Sequence, residues 1–130
     1  MNNIQIVQQM YKDFGSGNIQ AVLANFDKDV IWVRPGEPNI PFAGTFKGID
    51  GLIQMFTIIN QSIRLKVFTP EKFFSNKNMV VVLGSDTAEV IATGKSYTSE
   101  WIQAFTFKDD KIVHAQVYFD TLTIANAFHP

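Results

Sequence analysis

Trp32-Val33-Arg34-Pro35-Gly36, followed closely by Phe42-Ala43-Gly44-Thr45-Phe46-Lys47-Gly48, marks the point where this chain changes character. Val30 to Arg34 reads as a short strand that Pro35-Gly36 stops. Residues 35–45 carry Pro35, Pro38 and Pro41 and read as a loop. Upstream, Ile4, Val7, Met10, Tyr11 and Phe14 fall on one helical stripe, which Gly15-Ser16-Gly17 closes. Asn18 is a suitable N-cap for a short second helix with Ile19, Val22, Leu23 and Phe26. Downstream, Ile49, Leu52, Ile53 and Phe56 form the stripe of a third helix, ending near Gln61. The rest is strand-like, in runs over about 64–75, 79–93, 96–107 and 112–121. The turns between these runs are too short for anything but antiparallel neighbours. Helices first and long strands after predict an α+β fold: a curved, mostly antiparallel sheet shaped as a cone, packed on three N-terminal helices.

The bulk properties bound the function. A chain of 130 residues fits a single domain, 1–130, that can bury a core without staples. Net charge is −1, from 11 basic and 12 acidic residues without a block of one sign, so no nucleic-acid partner is expected. No apolar run approaches the roughly 18 residues of a membrane span, and the N-terminus lacks a signal-peptide pattern. Cysteine is absent, which removes disulfides and thiolate chemistry and fits a cytoplasmic location. Two distant histidines and no carboxylate cluster predict neither a metal nor a cofactor. The 12 phenylalanines are an unusual number and predict an aromatic core or cavity lining.

Alternation assigns the strand faces. Tyr97, Ser99, Trp101, Gln103 and Phe105 share one face of their strand, taken as the interior. Val113, Ala115, Val117 and Phe119 do the same in the last strand, leaving His114, Gln116, Tyr118 and Asp120 outside. His114 and Asp120 then lie roughly 20 Å apart by strand rise and cannot form an acid–base pair. His129 is expected at the exposed end of the chain. Asp86 faces inward if its strand stays in phase from Gly94, unless Gly84 introduces a bulge.

In this order, several motifs resemble the nuclear-transport-factor-2-like superfamily, in its SnoaL-like, ketosteroid-isomerase-related branch. They are Tyr11-Lys12-Asp13-Phe14 with Gly17-Asn18, Phe26-Asp27-Lys28-Asp29-Val30, the two stretches quoted first, and Lys111-Ile112-Val113 with Tyr118-Phe119-Asp120-Thr121. The resemblance implies the cone-shaped fold and a homodimer through the outer sheet face. It does not imply one activity, because the fold hosts isomerases, cyclases, dehydratases, epoxide hydrolases and binding modules. Ketosteroid isomerases use an Asp base on the first strand, a Tyr on the first helix and a protonated Asp on a later strand. Here Tyr11 matches the Tyr, but Arg34 fills the base position and Gln103 the second donor position. Arginine cannot abstract a proton at neutral pH, so that mechanism does not transfer.

Three readings follow. In the first, the cone binds a small, largely apolar ligand carrying a carbonyl or an oxygen anion, with isomerase- or cyclase-like proton chemistry as an extension. Arg34 anchors the oxygen and Tyr11 and Gln103 donate hydrogen bonds, while Phe14, Trp32, Trp101, Phe105 and Phe119 pack the apolar body. In the second, Asp86 is the water-activating base of a hydratase or epoxide hydrolase, oriented by Arg34, and must lie within about 3 Å of a water or of Arg34 inside the cavity. In the third, the cone is plugged by its own rings and the protein is a non-catalytic dimeric interaction module.

Overall fold

The computed structural model describes residues 1–130. Its elements run in the order α1 Asn3–Gly15, α2 Ile19–Leu23, β1 Phe26–Arg34, β2 Gly44–Lys47, α3 Gly48–Ser62, β3 Ile63–Asn76, β4 Met79–Val90, β5 Ser96–Lys108, β6 Lys111–Phe119 and α4 Thr121–Phe128. Asn2 caps α1 in a reciprocal capping box with Gln5, and Asn18 caps α2 through the Ala21 N–H. The strands form one open, curved six-stranded sheet in the order β2-β1-β6-β5-β4-β3. All its pairs are antiparallel except β1 with β6, so the sheet is mixed.

Four features differ from expectation. The second helix ends at Leu23, and Phe26, expected on it, opens β1 instead, four residues before Val30. The proline-rich loop ends earlier, because Gly44–Lys47 pairs with β1 as a short edge strand, Phe46 opposite Trp32. The last strand stops at Phe119, since Asp120 turns the chain into α4 by accepting hydrogen bonds from the Thr123 N–H and hydroxyl at 3.1 and 2.7 Å. Asp120 is therefore a helix cap rather than a member of the outer sheet face. Val113 does not point inward: the β5–β6 register shifts between Thr106 and Phe107, and Ile112 takes the buried place beside Ala115.

The inner face carries two apolar clusters. The larger joins Val7 and Met10 of α1 and Leu52 and Met55 of α3 to the sheet through Trp32, Trp101 and Phe105. The smaller lies under α4, where Ile124 and Ala127 meet Ile40, Phe42, Val90 and Tyr97. Thr93 donates to the Ala127 carbonyl at 2.7 Å and Lys95 to that of His129 at 2.6 Å, so the β4–β5 turn fastens the C-terminal segment. His129 itself is exposed, as expected.

Gly84 does not bulge β4. The irregularities fall in β3, between Leu65 and Val67 and between Pro70 and Lys72, and β4 pairs with β5 in unbroken register. What Gly84 supplies is space: a Cβ there would sit 2.4 Å from the Trp101 ring and 2.6 Å from the Thr69 carbonyl oxygen. Neither neighbour can yield cheaply, because the Trp101 ring is stacked on Phe68, centroids 5.0 Å apart at 14°. Gly84→Ala should therefore lower unfolding stability by about 1–3 kcal/mol in urea titrations. An unchanged midpoint would mean that Trp101 is not held in that slot.

Candidate functional site

The two apolar clusters do not meet completely. Between them lies a cavity of about 90 Å³. That is several times the roughly 15 Å³ a single water needs, so the hollow admits a few waters or a ring-sized organic molecule. The cone is not plugged, which counts against the third reading of the sequence.

β1, β4 and β5 bring the charged and polar groups to this hollow. Trp32 and Arg34 are two residues apart on β1, so both face inward. Pro35 follows at once and releases the backbone, leaving Arg34 at the strand's last position. Its guanidinium lies over the rings of Phe42 and Phe119, at 5.3 and 5.5 Å from their centroids. Asp86 reaches the same cavity because β4 keeps its phase, with Asp86 opposite Ser99 and Ala88 opposite Tyr97. Arg34 and Asp86 do not close into an ion pair; the one salt bridge of the chain joins Arg64 to Glu89.

Burial without pairing moves the proton equilibria. Burial pulls the Arg34 guanidinium down to about 10, against the opposing influence of Tyr97 and Asp86, so it stays cationic at neutral pH. Burial pushes the Asp86 carboxyl up to about 6, with Arg34 holding it back. Tyr97 is pushed upward by burial, and further by Asp86 beside it, so it remains a phenol. Four buried polar atoms find no partner within the protein: Trp32 Nε1, Arg34 Nε, Asp86 Oδ1 and Trp101 Nε1. All four belong to residues bordering this one cavity.

Of the residues singled out from sequence, Tyr11, Phe14, Trp32, Arg34, Asp86, Trp101, Gln103 and Phe119 border the cavity. Phe105 does not. It is fully buried behind them, edge-on to Tyr11 and Trp32, where it supports the wall. The Tyr11 hydroxyl donates to Gln103 Oε1 at 2.7 Å, so this pair leaves the Gln103 amide N–H group to offer a ligand. Other lining residues were not singled out as site residues, Phe42, Tyr97 and Ile124 among them. Phe42 comes from the loop and Ile124 from α4, where no strand alternation operates. Tyr97 was placed inward by alternation, and its diagonal position to Asp86 was the signal for a role. On the outer face, Ile102 and Tyr118 are exposed. No helix is long and apolar enough to cross a membrane.

Comparison with known proteins agrees with this architecture. The sequence profile of the SnoaL-like domain matches residues 7–115. No curated protein matches the chain. Among solved structures, an NTF2-like protein from Burkholderia xenovorans LB400 is 29% identical, with 98% of this chain and 95% of that one covered and a TM-score of 0.88. An NTF2-like protein of unknown function from Burkholderia pseudomallei K96243 is 26% identical over 100% and 99% of the two chains, TM-score 0.91. TerC, co-crystallised with polyporic acid, is 25% identical over 98% of each chain, TM-score 0.80. More distant structures with provisional cyclase or isomerase labels share the fold alone. The chain thus belongs to the SnoaL-like domain family of the NTF2-like superfamily.

Proposed function

We propose that the cavity binds a small, largely apolar molecule bearing a carbonyl or an oxygen anion, and that Asp86 exchanges a proton with it. The observation that carries this reading is the set of four unpartnered buried polar atoms around one hollow, three of them donors and one an acceptor. A buried polar group without a partner costs about 1–3 kcal/mol, and a complementary ligand would recover that cost. Arg34 faces the oxygen as a fixed cation, Gln103 offers an amide N–H, and the rings of Phe14, Trp32, Trp101 and Phe119 receive the apolar body. A carboxyl near 6 is suited to both accepting and returning a proton near neutrality. The co-crystallisation of the relative TerC with polyporic acid supports a small-molecule role for this hollow. Water activation by Asp86 is the second reading; Asp86 borders the cavity as it requires, and Arg34 would orient it without an ion pair between them. Exposed Ile102 and Tyr118 support pairing of two copies through the outer face.

The anchor is tested with 2-naphthol, 2-naphthoate, polyporic acid and naphthalene in a thermal-shift series. At least one oxygenated probe should stabilise the wild-type protein, and Arg34→Met should abolish that stabilisation while leaving any effect of naphthalene in place. Equal stabilisation of both proteins by the oxygenated probes would remove Arg34 from the site.

The state of Asp86 is tested by stability against pH. Its native carboxyl is raised from the ordinary 3.8 to about 6. Below 3.8 the carboxyl is protonated folded or unfolded, and its ionisation takes nothing from stability. Between 3.8 and about 6 the unfolded chain releases the proton first, so stability falls as pH rises, and above 6 the loss is complete. Asp86→Asn should therefore unfold at higher denaturant than wild type at pH 7–8, by about 1–2 kcal/mol, with the gap closing below pH 4. That figure sits below the full shift because Asp86 is partly exposed and its charge also steadies Arg34. A gap that persists unchanged at pH 4 would show that the ionisation of Asp86 is not what limits stability.

A further inference from the structure

The charged end of the cavity holds a third polar group, which strand phase had turned inward but the family resemblance had not marked. Tyr97 lies on the same inward face as Asp86 and one step diagonal to it, since Ala88 is opposite Tyr97 and Asp86 opposite Ser99. Diagonal neighbours at that spacing are within reach of a long aromatic side chain. The ring is 5% exposed and packs in the cluster under α4 with Phe42 and Ile124, which locks its direction. Arg34, Asp86 and Tyr97 all border the one cavity. The charges of Arg34 and Asp86 act on each other and on the ionisation of the Tyr97 hydroxyl, so the three groups lie within electrostatic reach of one another.

Tyr11 stands apart from this unit. Its ring neighbours are Phe68, Phe73, Trp101 and Phe105, whereas the Arg34 guanidinium rests on Phe42 and Phe119. Its hydroxyl proton is already given to Gln103. A hydroxyl has one proton to donate, so Tyr11 has none left for a ligand oxygen unless that bond breaks.

From this placement we infer that Tyr97, rather than Tyr11, supplies the hydroxyl that works with Arg34, donating a hydrogen bond to the ligand oxygen while Asp86 handles the proton. This deepens the function proposed above and rests on it. In the proton step, the Asp86 carboxylate takes a hydrogen from the carbon next to the ligand's carbonyl. The C–H electron pair moves into the new C–C double bond, and the carbonyl electrons move onto the oxygen, which becomes an enolate. Arg34 N–H and Tyr97 O–H hold that oxygen, and the Asp86 carboxyl returns the proton to carbon. No other reactant is needed. The phenol is suited to this part because it keeps its proton at neutral pH.

The test uses the full chain and the ratio of affinities for 2-naphthol and naphthalene, measured by fluorescence titration, with melting temperature as the fold check. Tyr97→Phe keeps the buried ring and removes one oxygen. It should cut the preference for 2-naphthol about fivefold, the effect of one hydrogen bond to a neutral oxygen, and leave naphthalene affinity as it was. A preference untouched in Tyr97→Phe, or lost in Tyr11→Phe instead, overturns the assignment. If Arg34→Met loses the preference while Tyr97→Phe retains it, Tyr97 is wrong and the anchor stands. If Arg34→Met also retains it, or wild type shows no preference, the proposed function falls as well. Should Tyr97→Phe not fold, 3-fluorotyrosine in place of the three tyrosines gives three fluorine resonances. Tyr11→Phe and Tyr118→Phe then identify the Tyr97 signal by elimination. A larger shift of that signal with 2-naphthol than with naphthalene supports the role, and equal shifts overturn it.

Discussion

A guanidinium in an apolar hollow with no carboxylate in contact is the condition to which the other features of this molecule answer. Removing such a charge from water is costly, and the usual remedy, a close ion pair, is not used here. Compensation comes from three directions. The faces of Phe42 and Phe119 accept the cation, and Asp86 acts on it from across the cavity. These partners arrive from the loop before β2, from β6 and from β4, so only a sheet curled around Arg34 can assemble them. The mixed strand order and the C-terminal helix then have a physical reason beyond closing the fold. They surround the end of β1.

The hollow stays open because its walls cannot collapse into it. Phe68 is stacked on Trp101, and Trp101 fits over Gly84 where any side chain would collide. Trp32 is edge-on to Phe56 and Phe105, and Phe14 tilts against Phe56 and meets Phe68 edge-on. Aromatic rings in contact on several sides have few alternative rotamers, so the cost of filling the space exceeds the cost of leaving it. The same rigidity holds the two indole N–H groups where no protein acceptor meets them. Softer aliphatic walls would have closed over these donors.

The parts of this fold that were legible in the sequence are those governed by local periodicity. The stripe from Ile4 to Phe14 and the alternation from Tyr97 to Phe105 each specify a face without reference to anything distant. The inward direction of Asp86 followed the same way. β2 was not legible, because four residues in a proline-rich setting become a strand only through pairing with β1. α4 was hidden by its apolar, β-branched start, Thr121-Leu122-Thr123-Ile124, which continues a strand in appearance. Only the Asp120 cap and the tie to the β4–β5 turn make it a helix. Val113 was misplaced for a similar reason: alternation assumes an unbroken ladder, and a bulge leaves no mark that composition reveals.

Resemblance carries residues from one chain to another by position, but hydrogen bonds are allotted by competition. Position favoured Tyr11 as the donor to a ligand, since an oxyanion-binding Tyr occupies the matching helix in ketosteroid isomerases. Replacing a second acidic donor by Gln103 alters that allotment. An amide oxygen is a good acceptor facing the first helix, and at 2.7 Å it takes the Tyr11 proton. With Arg34 at the base position, β1 sends no carboxylate into the cavity, and the one carboxylate that lines it is Asp86 on β4. The hydroxyl next to Asp86 is then that of Tyr97, on the neighbouring strand. In the proposed site, two substitutions, each readable alone, thus move the polar end from the first helix to the β4–β5 ladder. That displacement is a property of the pair and could be seen only once the strands were in register.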